Sequence, residues 1–123
     1  MAPGKIRNLG DLHNQTVSVI KGTTSEDYIR YHNVKTVLAK DLEELISNLK
    51  QKKVDAVVYD APVLMYLCKK DPSIQIAGDM FDKQRYGIVF SQKDNDFLKE
   101  LLDIGILESQ RTGEYQRIYN KWF

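Results

Sequence analysis

Two stretches of this sequence place small, hydroxyl-bearing or acidic residues directly after a short apolar run. In the first, Val17-Ser18-Val19-Ile20 leads into Lys21-Gly22-Thr23-Thr24-Ser25-Glu26-Asp27-Tyr28. In the second, Val54-Asp55-Ala56-Val57-Val58-Tyr59 leads into Asp60-Ala61-Pro62. Each pattern predicts a strand that turns into a helix. The first N–H groups of a helix lack intrahelical partners, and the helix dipole adds about half a positive charge there. A carboxylate can therefore dock on the backbone of Thr24 and Ser25, with hydroxyls from Thr23, Thr24 and Ser25 donating as well and Gly22 allowing close approach. The second corner offers the opposite chemistry, because Asp60 at the carboxyl end of a strand can pair with an ammonium group. Together the two corners can hold the charged ends of an amino acid.

Plainer readings of the same residues stand beside this one. Thr24 or Ser25 can simply cap a helix, and Asp60 can cap the helix that starts at Ala61-Pro62, where proline is tolerated in the first turn. A capping oxygen leaves the second Asp60 oxygen free, so both roles are compatible. Tyr59 reads either as core or as a ring and hydroxyl presented to the cleft. The phosphate-loop pattern Gly-x-x-x-x-Gly-Lys is missing.

The elements that must position these residues alternate strand-length apolar runs with helical spacing, which predicts a layered α/β domain. Strands are expected at residues 16–20, 34–38, 54–59, 74–77 and 86–90. The third is apolar on both faces, as a central parallel strand requires. A short helix follows the first corner and ends near His32-Asn33. Asp41 with Glu44 three residues on predicts a capped helix carrying Leu42, Leu45, Ile46 and Leu49 on one face. The helix after Ala61-Pro62 should bury Val63, Leu64, Tyr66 and Leu67 and stop at Asp71-Pro72. Residues 94–111 and a last segment from Glu114 toward Phe123 read as helices separated by Thr112-Gly113.

Composition narrows the function. One domain fits 123 residues at 42% hydrophobic content. Eighteen Lys and Arg against 17 Asp and Glu give a formal charge of +1, with the basic residues scattered, which argues against nucleic acid. No apolar run nears the roughly 20 residues of a membrane span, and Met1-Ala2-Pro3-Gly4-Lys5 lacks the apolar stretch of a signal peptide. Cys68 is the single cysteine and has no evident metal-ligating or catalytic neighbours. No catalytic residue, metal site or cofactor is expected. His13 and His32, the two histidines, fall in a loop and at a helix end. Exposed Lys21, Lys83 and Arg85 are candidates to adjust specificity from a cleft edge.

In this order the motifs resemble the second lobe of the periplasmic amino-acid-binding proteins (solute-binding family 3) and the ligand-binding domains of glutamate-receptor channels. The matching residues are Asn8-Leu9-Gly10-Asp11-Leu12, Lys21-Gly22-Thr23-Thr24-Ser25, the run from Val54 to Pro62, Tyr86-Gly87-Ile88-Val89-Phe90 and the tail from Gly113 to Phe123. The resemblance implies a three-layer type II periplasmic-binding lobe, with a mostly parallel sheet of about five strands and helices on both faces. It implies that Thr24 and the backbone near Ser25 bind a ligand carboxylate, that Asp60 binds the α-amino group, and that Ile20 lines the side-chain pocket. It further implies division into residues 1–5 as an added tail, 6–92 as the lobe, and 93–123 as helices that return to the first lobe. That first lobe, with its arginine and aromatic walls, is absent from this sequence.

The resemblance thus predicts half of an extracytoplasmic receptor that closes on an amino acid. The expected partners are the ligand, the missing first lobe, and a parent membrane channel or transporter. Tyr59-Asp60-Ala61-Pro62-Val63-Leu64 and the ending Tyr119-Asn120-Lys121-Trp122-Phe123 lean toward prokaryotic glutamate-receptor-like potassium channels. The alternative is the second lobe of a transporter's solute-binding protein. Two remoter readings are an enzyme of the dehydratase type on the same fold and a phosphorylated receiver domain. The receiver reading needs an acidic pair after the first strand, where Lys21-Gly22-Thr23-Thr24 stands. With their partner lobe missing, Phe97, Leu101, Ile104, Leu107, Tyr115, Ile118 and Trp122 must fold back on this lobe, pair with another molecule or stay mobile as an exposed apolar patch, and weaker order is expected there than in residues 15–90.

Overall fold

The β-branched run at the start of the first corner forms the centre of the fold. In a computed structural model that describes residues 6–91, 93 and 96–123, strand β1 (Thr16–Ile20) lies between β2 (Lys35–Ala39) and β3 (Ala56–Val57). Both neighbours run parallel to it, with Thr16 opposite Lys35 and Val17 opposite Ala56. The expected tail at residues 1–5 lies outside the described residues.

Side-chain alternation along β1 separates two cores. Val17 and Val19 join Leu12, Ile29 and Val58 in one cluster, while Ile20 joins Ala39 and Leu45 in the other. Ile29 comes from α1 (Thr24–Arg30) and Leu45 from α2 (Leu42–Lys50), so each sheet face is covered by its own helix. Between them they fulfil the expected layering. The start of α2 also follows the sequence: Asp41 Oδ1 accepts the Glu44 N–H at 2.8 Å, and Glu44 Oε2 reaches back to the Lys40 N–H at 2.9 Å. Ser18, fully buried on the α2 face, donates to the Val37 carbonyl at 3.0 Å and receives Asn48 Nδ2 at 3.5 Å.

Three of the five expected strands form among the described residues. The third is paired over two residues, although the Asp55 N–H to Thr16 carbonyl (2.8 Å) and Val58 N–H to Ser18 carbonyl (3.1 Å) bonds extend its attachment. Residues 74–77 and 86–90 carry no strand pairing. An alternating apolar segment becomes a strand only when a sheet edge accepts its backbone, and here Tyr86, Ile88 and Val89 remain exposed. Helix α3 (Ala61–Lys70) begins at Ala61-Pro62 as expected, but its Val63, Leu64, Tyr66 and Leu67 are only half-buried. At its far end Asp71 pairs with Lys50 and accepts the Ser73 N–H at 3.0 Å and the Ser73 hydroxyl at 2.6 Å, joining the C-terminal ends of α2 and α3.

The chain divides into two compact units, one ending at Asp82 and the other running from Lys83 to Phe123. The sheet, α1, α2 and α3 belong to the first. The second contains α4 (Asp96–Thr112) and α5 (Glu114–Trp122), joined at Gly113. Asp94 and Asn95, the expected start of α4, lie outside the described residues. Ion pairs Lys99–Asp103, Glu108–Arg111 and Glu114–Arg117 run along the helix surfaces. No residue of either helix is fully buried among those described.

Candidate functional site

Parallel register brings the two corners together. Because Ser18 stands opposite Val57, β1 and β3 end side by side at the carboxyl edge of the sheet, and the chain leaves one toward Gly22 and the other toward Asp60. The connection from β1 runs to β2 on one flank, whereas β3 sits on the other. Open α/β sheets bind ligands at such a reversal of strand order.

In the first corner Gly22 adopts φ +78°, and a Cβ built there meets nothing within 4 Å. Glycine is needed for the torsion, not for space. The cap of α1 is Thr23, which corrects the expectation of Thr24 or Ser25: its Oγ1 accepts the Glu26 N–H at 3.4 Å and donates to the Ile20 carbonyl at 2.7 Å. Thr24 and Ser25 thereby become the first two helical residues, the former exposed and the latter half-buried. Their backbone N–H groups occupy the positions that have no intrahelical acceptor. The Gly22 N–H donates to Glu26 Oε2 at 2.6 Å, and this bond chiefly holds the Glu26 carboxyl below its ordinary range, with Arg30 assisting.

In the second corner Asp60 occupies the cap position of α3, half-buried, but its carboxylate makes no capping bond, so the capping expectation is not met. The Asp60 backbone carbonyl accepts the Leu64 N–H at 3.1 Å. Tyr59 packs against the Ile20, Ala39 and Leu45 cluster, as its core reading expected. Ile20 is in that cluster too and is 9% exposed, so the core takes up nearly all of the side chain that the resemblance assigns to a pocket wall.

Thr23 followed by Glu26 has capping-box spacing, the local signal for the bonds that Glu26 makes at this corner. The histidines lie toward the other edge of the sheet, His13 before β1 and His32 after α1. His13 Nε2 is 3.0 Å from Asn33 Nδ2, and His32 Nδ1 is 3.0 Å from the Tyr28 carbonyl. Cys68 is half-buried, and burial, with Asp71 assisting, pushes its thiol up. Among the described residues no cluster of three or more His, Cys, Asp or Glu could hold a metal, and no helix is long and apolar enough to cross a membrane.

No protein-family description matches the chain. Over 98% of its length it is 29% identical to the L-cystine-binding protein TcyJ of Escherichia coli strain K12, covering 46% of that protein. Among solved structures it matches the GluR0 ligand-binding core from Nostoc punctiforme, in complex with (L)-glutamate, at a TM-score of 0.74 and 31% identity. That match takes in 98% of this chain and 57% of the other. Domain 2 of TmArgBP is matched at a TM-score of 0.60 and 25% identity, over 67% of this chain and 90% of that domain. The chain spans about half the length of the curated relatives it matches.

Proposed function

We propose that this chain, a homologue of the periplasmic amino-acid-binding proteins with the type II fold of their lobes, is the second lobe of an extracytoplasmic receptor that closes on an amino acid. The Thr24 and Ser25 backbone, with the Thr24 hydroxyl, receives the ligand's α-carboxylate. Asp60 receives the α-ammonium group. Gly22 and Thr23 shape the turn, and Ile20 anchors it from the core. The observation that carries this reading is the β1–β3 register, which sets a donor corner beside a carboxylate corner on adjacent strands.

Relatives about twice as long support a missing first lobe that completes the cleft and covers apolar residues of α4 and α5. In this reading closure gates a channel, as the resemblance to the ligand-binding domains of glutamate-receptor channels implies. A second reading, a solute-binding protein serving a transporter, draws on the cystine-, arginine- and glutamate/aspartate-binding names among the relatives. Those relatives are binding proteins, and this reading makes the lobe a binding element. Its place is the periplasmic or outer face of the membrane.

The test is an amide-resolved NMR titration of the chain with L-glutamate and L-arginine. Resonances of Thr24, Ser25 and Asp60 should move together. If a complete cleft binds at micromolar strength, about 8 kcal/mol, half a cleft retains millimolar binding. A folded spectrum in which these amides stay still at tens of millimolar would refute the reading.

A further inference from the structure

Glu26 is neither of the charges that the proposed binding uses, yet it is the side chain most committed to the first corner. Its Oε2 accepts the Gly22 N–H at 2.6 Å and its Oε1 accepts from Arg30 Nη2 at 3.2 Å. Its own N–H reaches Thr23 Oγ1, which donates in turn to the Ile20 carbonyl. The Glu26 side chain is 17% exposed although Arg30 is 64% exposed. One carboxylate therefore links the left-handed glycine after β1 to the last residue of α1, through a charge-assisted bond that leaves the Gly22 N–H nothing further to donate.

We infer that Glu26 is a positioning residue for the proposed carboxylate site: it holds the turn from Gly22 to Ser25 in shape before ligand arrives, and by occupying the Gly22 N–H it directs an incoming carboxylate to Thr24 and Ser25. The inference rests on the binding reading above. A turn ordered in advance removes an ordering cost from association, and a donor already bonded to a carboxylate is not offered to a second one.

The test uses the full chain, isotope-labelled, as wild type, Glu26→Gln and Glu26→Ala, with L-glutamate and L-arginine as probes and thermal unfolding recorded for each. Without probe, the Gly22 amide should exchange slowly in the wild type and in the Gln variant, which keeps an acceptor oxygen. In the Ala variant it should exchange about ten-fold faster. With probe, Thr24 and Ser25 should move while Gly22 stays still in the wild type and the Gln variant. In the Ala variant Gly22 should join the moving amides, and half-saturation should rise about three- to ten-fold. Unchanged Gly22 exchange in the Ala variant overturns the inference. So does Gly22 moving with Thr24 in the wild type, or a Gln variant that restores none of the loss. If no corner amide of the wild type responds to either probe, the binding reading fails, and Gly22 exchange across the variants still decides whether Glu26 holds the turn. Should the Ala variant unfold, Arg30→Ala, which releases one anchor of Glu26, should speed Gly22 exchange, and no change there counts against the inference.

Discussion

Asp60 and Asp71 stand at opposite ends of α3 and have different consequences. At the first end, the carboxylate that leaves its helix uncapped is the proposed partner of a ligand ammonium group. Asp60→Asn removes the charge and keeps the shape, and should weaken the L-glutamate response of Thr24 and Ser25 about ten-fold or more, read by the same titration. An unchanged midpoint would remove Asp60 from the site. At the other end, Lys50 and the two Ser73 donors hold the Asp71 carboxyl at about 2, below its usual 3.8. A depressed folded-state value means that ionised Asp71 stabilises the fold. The contribution is whole above about pH 4 and fades as pH falls toward 2. Denaturant midpoints of wild type and Asp71→Asn should therefore differ by a constant amount above pH 4 and converge below it. Convergence near neutral pH would contradict the Lys50–Asp71–Ser73 assignment.

The helices and strands differ in how far the sequence revealed them. Helix α2 was legible throughout, because Asp41, Glu44 and the Leu42, Leu45 spacing are local signals that act within one turn of each other. Leu45 is fully buried between α2 and the sheet, so Leu45→Ala should cost about 2–5 kcal/mol in urea unfolding; a change under 1 kcal/mol would mean that the α2 face of the sheet is not a packed core. The segments at 74–77 and 86–90 read as strands and are not, since alternation expresses compatibility with a sheet while pairing depends on a distant edge. The α1 cap shifted by one residue for a related reason. Thr23, Thr24 and Ser25 are all good caps in isolation, and the left-handed turn at Gly22 decides which hydroxyl meets the Glu26 N–H. Ser18 and Asn48 look like polar interruptions in the sequence, and only the packing of α2 on β1 turns them into a bonded pair. Both corners of the candidate site were legible as residues; their adjacency was expected only through the resemblance, because strand order is set by long-range pairing.

For the molecule as a whole, the balance of charge and apolar surface matters most. A net charge of +1 offers little mutual repulsion, and the unit from Lys83 to Phe123 exposes Phe97, Leu101, Ile104, Leu107, Tyr115, Ile118 and Trp122. Such a chain should self-associate as its concentration rises. Sedimentation velocity from micromolar to millimolar would reveal it, and a strictly monomeric chain across that range would show those side chains to be covered. The β1–β3 pairing has a kinetic consequence as well. The Thr16 N–H meets Asp55 Oδ2 at 2.8 Å across 39 residues of chain, so the closure that unites the corners must bring together segments with all of α1, β2 and α2 between them. Contacts so distant in sequence form late and slow the search for the native state. During refolding, the β1–β3 pairing that sets the two corners on adjacent strands should form only in the final cooperative step, so any ligand that needs both corners meets a competent surface no sooner than the core itself is complete.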